Sequence, residues 1–315
     1  MYTASISGLF AISSNEVKVC GMPCLAANSS ARSCVREHTA VSSKRSSCRA
    51  PAMTQSVMLL VPTTPNRIFF IIQVFSQSYD KLFVIQKIDC IFAPIMKITV
   101  SEEIKNACPQ FAGIAVAATV KNTPYCEALW QKIDEFTVRY REMYTTDSIK
   151  DMVTIHATRE AYKKCGKDPS RYRPSGEALC RRILRGIPLY QIDTLVDLIN
   201  LVSIRYGYSI GGFDADKFEG DTLTLGIGKA GEPYEGIGRG TLNIDGMPVY
   251  RDAIGGVGTP TSDNERTKLG LETTRLLTII NGYSGKEGLR EAADYMVELI
   301  KEFASAEDVE LIEFE

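Results

Sequence analysis

Residues 173–214 read RPSGEALCRRILRGIPLYQIDTLVDLINLVSIRYGYSIGGFD, and the reading of the whole chain turns on that run. Pro174 disfavours helix at Arg173, Ser175 is a suitable N-cap, Glu177 suits the positive end of a helix dipole, and Gly186 is a natural stop. A short helix is therefore predicted, buried through Leu179 and Ile183. Glu177, Arg181 and Arg185 fall at successive i,i+4 positions, which reads equally as an ion-pair ladder on a solvated face or as a basic surface. Lys163, Lys164, Lys167, Arg171 and Arg173 precede it and favour the basic surface. A second helix is predicted from a cap at Asp193 or Thr194 to about Tyr206, buried through Leu195, Leu198, Ile199 and Val202. Asp197 and Asn200 interrupt its apolar sequence and need hydrogen-bond partners if enclosed. Asn200 either brackets a nearby loop or faces a polar pocket. Gly211 and Gly212 suit a turn, or a ligand lying against the main chain, and the turn is the expectation.

Outward from this run the composition divides the 315 residues in two. Residues 1–95 hold nine Lys/Arg against four Asp/Glu and five of the nine cysteines, so residues 96–315 carry a net charge of −7. The first part has no hydrophobic period and reads as a poorly structured leader, with Met96 as the expected start of the functional protein. MYTASISGLFAISSNE lacks the basic start of a secretory signal, and the apolar Ile68–Phe75 is too short for a membrane helix. Cys20, Cys24, Cys34, His38 and Cys48 match no paired-ligand spacing, so no metal is expected. From Met96 the pattern is that of one folded domain, residues 96–315. Strands are predicted at Lys97–Val100, Phe111–Val120, Thr222–Ile227, Leu276–Ile280 and Val309–Phe314. Helices are predicted after the Ser101 cap, near Tyr125–Tyr144, brokenly over Ile149–Cys165, and after a capping box of Ser284 and Glu287. Asp245-Gly246 predicts a hairpin between Thr241–Ile244 and Met247–Tyr250. Irregular mixing of strands and helices gives an α+β or layered α/β domain.

Several patterns exclude functions. Gly226, Gly228 and Gly231 satisfy GxGxxG, but Glu232-Pro233 follows where a dinucleotide site needs a helix to open. His156 is the domain's single histidine and reads as packed or solvated. Cys108, Cys126, Cys165 and Cys180 are too scattered for a metal signature and suit reduced thiols in the cytoplasm. No cofactor is expected. The loop AIGGVGTPTSDNERT, Ala253 to Thr267, reads first as ordinary loop chemistry, with a second wall of a site as the alternative.

VDLINLVSIRYGYSIGGFD, Val196 to Asp214, resembles the start of the B3/B4 editing domain of the bacterial phenylalanyl-tRNA synthetase β subunit. That family carries Val-Asp, an Asn three residues after the Asp, a Gly seven further on, and a closing Phe-Asp. RPSGEALCRRILRG upstream and GTPTSDNERT, Gly258 to Thr267, resemble free-standing B3/B4 domain proteins, and the likeness covers about Met96 to Glu315. Where the synthetase has a Thr before the Asn and a His two residues before the Phe-Asp, this chain has Ile199 and Gly211. The resemblance implies a three-layer β/β/α sandwich with peripheral helices. It also implies hydrolysis, in trans, of mischarged aminoacyl-tRNA by a cytoplasmic protein contacting tRNA and an amino-acid moiety, without membrane or DNA. The rival expectation is a non-catalytic module that binds an amino acid or RNA.

On that basis Asn200 and backbone near Gly211, Gly212, Gly255 and Gly256 are expected to serve the water and the oxyanion. Ile199, Asp214, Thr261 and Ser262 are expected to line the amino-acid pocket, with Asp263 on the amino group and Arg266 on a carboxylate or phosphate. Arg173, Arg181, Arg182 and Arg185 are the expected tRNA phosphate contacts.

Overall fold

The computed structural model describes residues 10–13, 16–19, 55–64, 67–75 and 96–315. The chain divides into two units, Met1–Pro94 and Ile95–Glu315. In the first, strands β1 (Phe10–Ser13), β2 (Glu16–Val19), β3 (Gln55–Thr64) and β4 (Arg67–Phe75) form an antiparallel sheet in the order β2-β1-β3-β4. The apolar stretch Ile68–Phe75 thus lies in a strand. The cysteines and the histidine weighed above as zinc ligands lie outside the described residues.

The second unit is built on two four-stranded sheets. One has the order β12-β11-β8-β5, from β5 (Lys97–Val100), β8 (Thr222–Ile227), β11 (Pro248–Arg251) and β12 (Gly256–Gly258), with β5 parallel to β8. The other has the order β14-β6-β13-β7, from β6 (Ala112–Thr119), β7 (Ile210–Asp214), β13 (Arg275–Gly282) and β14 (Glu307–Phe314), all antiparallel. Side-chain alternation along the second sheet explains the layering. Ala115, Phe213, Leu277 and Ile279 point toward the first sheet and pack with Ile98, Leu223, Leu225 and Tyr250. Ile114, Val116, Leu276 and Ile280 point the other way, onto α5 (Thr194–Tyr206) and α6 (Leu289–Phe303). The domain is a three-layer β/β/α sandwich.

The remaining helices sit around this frame. Ser101 caps α1 (Glu102–Ala107), its side chain accepting from the Ile104 N–H. The helices α2 (Glu127–Met143), α3 (Val153–Cys165) and α4 (Ser175–Leu184) share a smaller core with Tyr140, Ile155, Cys180 and Ile183. A short 3₁₀ turn, Ser148–Asp151, precedes α3, and Gly166 ends it at φ 95°. Two short bridging strands, β9 (Glu235–Gly236) and β10 (Gly240–Thr241), form a separate ribbon.

Four local expectations need correction. Ser175 is the first residue of α4 rather than its cap, and its N–H donates to the Pro260 carbonyl at 2.7 Å. The last helix starts at Leu289 behind Gly288 at φ 76°, so Ser284 and Glu287 form no capping box. The Asp245-Gly246 turn exists, with Gly246 at φ 71°, but its flanks do not pair with each other. The buried Lys167 donates to the carbonyls of Asn243 and Asp245, both at 2.8 Å, satisfying groups a facing strand would have used. Gly211 and Gly212 lie in extended β7, not in a turn.

Candidate functional site

The edge strand β7 positions the site. Its outer edge meets the loop after β12, where Thr259 Oγ1 accepts the N–H groups of Thr261 and Ser262 and winds the backbone tightly. This brings Asp263 against the strand, and its Oδ2 accepts the Gly212 N–H at 3.0 Å. A Cβ on Gly258 would lie 3.0 Å from Asp263 Oδ1 and 2.5 Å from the Phe213 ring, and one on Gly211 would lie 2.7 Å from that ring. A Cβ on Gly212 would lie 2.7 Å from Ile199 Cδ1 on the opposite face. These glycines are required because a carboxylate, an aromatic ring and an isoleucine occupy the space of their missing side chains.

Asp263 is the chemically distinctive group. The residue keeps some accessible surface, but burial of its carboxylate raises the pKa to about 7, only partly opposed by the Gly212 N–H. A carboxyl poised near neutrality exchanges protons at little cost in driving force. Asn200, on α5 next to Ile199, is half-buried and its side chain makes no hydrogen bond among the described residues.

Several other sequence-assigned residues are engaged within the protein. Gly255 donates its N–H to Asp252 Oδ1 at 3.1 Å, and Gly256 packs against the Tyr234 ring. Asp252 also takes both Arg266 terminal nitrogens at 2.9 Å, so the fork expected to hold a ligand anion holds an internal carboxylate. Burial works to raise the Asp252 pKa, but Arg266 and the neighbouring N–H donors outweigh it and hold the group below the usual range. Buried Asp214 accepts from Thr273 Oγ1 at 3.0 Å and from the Asp216 N–H at 3.2 Å, closing a 3₁₀ turn. Thr261 is bound to the Tyr162 hydroxyl at 2.8 Å, and Ser262 Oγ donates to the Asp263 carbonyl at 3.2 Å.

The arginine helix differs most from a solvated ladder. Glu177 is 1% exposed; Arg181 Nε donates to it at 2.7 Å and Arg159 Nη1 at 2.8 Å, while Arg173 Nε stands 3.6 Å away. Arg182 donates to the Pro188 carbonyl and lies 3.8 Å over the Tyr190 ring. Arg185 is exposed and its side chain makes no hydrogen bond among the described residues. Lys163 pairs with Glu160, and His156 is exposed on α3. Asp252, Arg159 and the burial of Glu177 escaped the sequence reading. Asp252 left one signal, an aspartate followed by Ala-Ile-Gly, suited to accepting the next N–H groups in a turn.

Residues 157–305 match the family model described as the B3/4 domain. Over these residues the chain is of the B3/4 type. The match spans every residue assigned above to the site, from Arg173 to Arg266. Among solved structures, an N-terminal fragment of the phenylalanyl-tRNA synthetase β-subunit from Pyrococcus horikoshii is similar at 14% identity and a TM-score of 0.35. The similarity covers 68% of this chain and 50% of that one, so the chain spans half the length of that structure. No curated protein matches the sequence. The B3/4 match agrees with the type of domain that the sequence resembles. Among the described residues, no helix is long and apolar enough to cross a membrane, and no group of three or more His, Cys, Asp or Glu residues is arranged to hold a metal ion.

Proposed function

We propose that this B3/4 domain hydrolyses the ester of mischarged aminoacyl-tRNA in trans. The observation that carries the reading is the enclosed Asp263 carboxylate with a pKa of about 7, fixed beside the glycine strand by the Gly212 N–H. In this scheme Asp263 orients a water and takes its proton as the oxygen attacks the ester carbonyl. The unpaired amide of Asn200 donates to the developing oxyanion. Collapse expels the terminal ribose oxygen of the tRNA, which recovers the proton from Asp263, leaving free amino acid and uncharged tRNA. Asp263 is assigned here to the water rather than to the substrate's amino group.

The net charge of −7 over residues 96–315 makes any tRNA contact local and salt-sensitive. Among the arginines expected to hold phosphate, Arg185 has its whole fork available. The second reading, a non-catalytic module binding an amino acid or RNA, is favoured by one observation. The N–H groups of Gly212 and Gly255 are already taken by carboxylates, which removes two backbone donors from an oxyanion site. Deacylation of a panel of mischarged tRNAs, with Asp263→Asn and Asn200→Ala alongside, separates the two. Turnover lost in Asp263→Asn supports hydrolysis, whereas binding of a panel member without turnover supports the module.

A further inference from the structure

Three guanidinium groups from three parts of the chain converge on one buried carboxylate. Arg159 comes from α3, Arg173 from the segment before α4, and Arg181 from α4 itself, all facing Glu177. Two of them suffice for Glu177: Arg159 Nη1 takes one oxygen and Arg181 Nε the other, at 2.8 and 2.7 Å. Each is further tied down, Arg159 Nη2 to Ser170 Oγ at 3.2 Å and Arg181 Nη1 to the Thr146 carbonyl at 2.9 Å.

The third arginine is the anomaly. Arg173 Nε is buried without a hydrogen-bond partner, since 3.6 Å from Glu177 Oε1 is too long for one. No other Arg173 nitrogen makes a hydrogen bond among the described residues either. Burying that Nε without a hydrogen bond beside two other guanidiniums is costly, because the cluster keeps a surplus of two positive charges around one negative. A second anion removes that cost. Arg173 is also the most open of the three, at 39% side-chain exposure against 19% and 18%, so it marks the side from which a ligand enters.

We propose that Arg173, with Arg159 and Arg181 behind it, forms a seat for a phosphate group, and that Glu177 is the internal counter-charge holding the three forks in place. Arginine forks match the paired oxygens of a phosphate, and fixing them beforehand lowers the ordering cost of binding. The place is informative. Ser175, two residues from Arg173, donates its N–H to Pro260 at the start of the loop that carries Asp263. The inference deepens the hydrolytic reading by seating a phosphate of the same ligand near the Asp263 loop. Its test measures phosphate binding alone and is independent of turnover.

The test is calorimetric titration of the full chain with inorganic phosphate and with a short RNA carrying or lacking a terminal phosphate. The wild type binds the phosphate-bearing probes, and Arg173→Ala weakens that binding by about tenfold, the loss expected for a charge-assisted contact. Arg173→Lys recovers part of it, because it keeps the charge without the fork. Asp263→Asn binds phosphate as the wild type does, so loss of hydrolysis in that variant leaves this inference standing. Tighter binding of the phosphorylated RNA than of inorganic phosphate names RNA as the source; equal binding names a small phosphate. Equal phosphate affinity in wild type and Arg173→Ala, or no binding of any phosphate probe, overturns the proposal.

Discussion

Asp263 Oδ2 accepts the Gly212 N–H at 3.0 Å across 51 residues of sequence, tying a loop carboxylate to the outer edge of β7. That bond orients the carboxylate and partly opposes the burial that raises its pKa to about 7.

A pH dependence of stability follows. The folded Asp263 pKa of about 7 lies above the unfolded value of about 3.9. As pH rises from about 4 to about 7 the unfolded chain therefore releases this proton first, and Asp263 lowers stability through that window. Asp263→Asn removes the contribution. Denaturant titrations at pH 4, 6 and 8 are expected to show the variant gaining on the wild type as pH rises; a constant difference contradicts the assignment.

Asp197 offers a second titration with its own optical reporter. Trp130, the chain's single tryptophan, donates from Nε1 to Asp197 Oδ2 at 2.7 Å. Burial raises the Asp197 pKa to about 6, opposed by the Ile192 N–H and by Trp130. Tryptophan emission is expected to change with a midpoint near pH 6 in the wild type and to stay flat in Asp197→Asn.

The glycine strand has little room for side chains. Gly258→Ala places a methyl 2.5 Å from the buried Phe213 ring and 3.0 Å from Asp263 Oδ1. The substitution is expected to cost about 1–3 kcal/mol in chemical denaturation, as overpacking does. An unchanged midpoint would show that ring and carboxylate yield freely.

The arginine helix separates internal from surface charge. Arg181→Ala removes one of two direct partners of buried Glu177 and is expected to cost about 2 kcal/mol, the scale of a hydrogen bond to a charged group. Arg185→Ala, on the exposed face, is expected to stay within about 0.5 kcal/mol of wild type. Thermal melts of the pair check both; equal effects would contradict the burial of the Glu177 cluster.

Much of the frame was legible because local signals and burial agree. Asp193 caps α5 as its position suggests, the side chain accepting from the Val196 N–H, and the apolar positions of α5 face the second sheet. The same legibility failed where a distant partner decides the outcome. Nothing near Asp245 in sequence announces that Lys167 will occupy the carbonyls beside the turn. Nor does the spacing of Glu177, Arg181 and Arg185 reveal that Arg159 completes a buried cluster while Arg185 stays outside it. In the site, Gly211 and Gly212 were visible as an anomaly but not as extended strand. What fills their missing side-chain space comes from α5, from Phe213 and from the loop after β12, all set by tertiary packing.

The most direct measurement is deacylation of a panel of mischarged tRNAs by the full chain, with Asp263→Asn and Asn200→Ala run in parallel and folding checked by circular dichroism. The account predicts turnover of at least one species, rising with pH through about 7 as Asp263 ionises and falling by about a hundredfold or more in folded Asp263→Asn. Turnover that folded Asp263→Asn retains at the wild-type rate would contradict it.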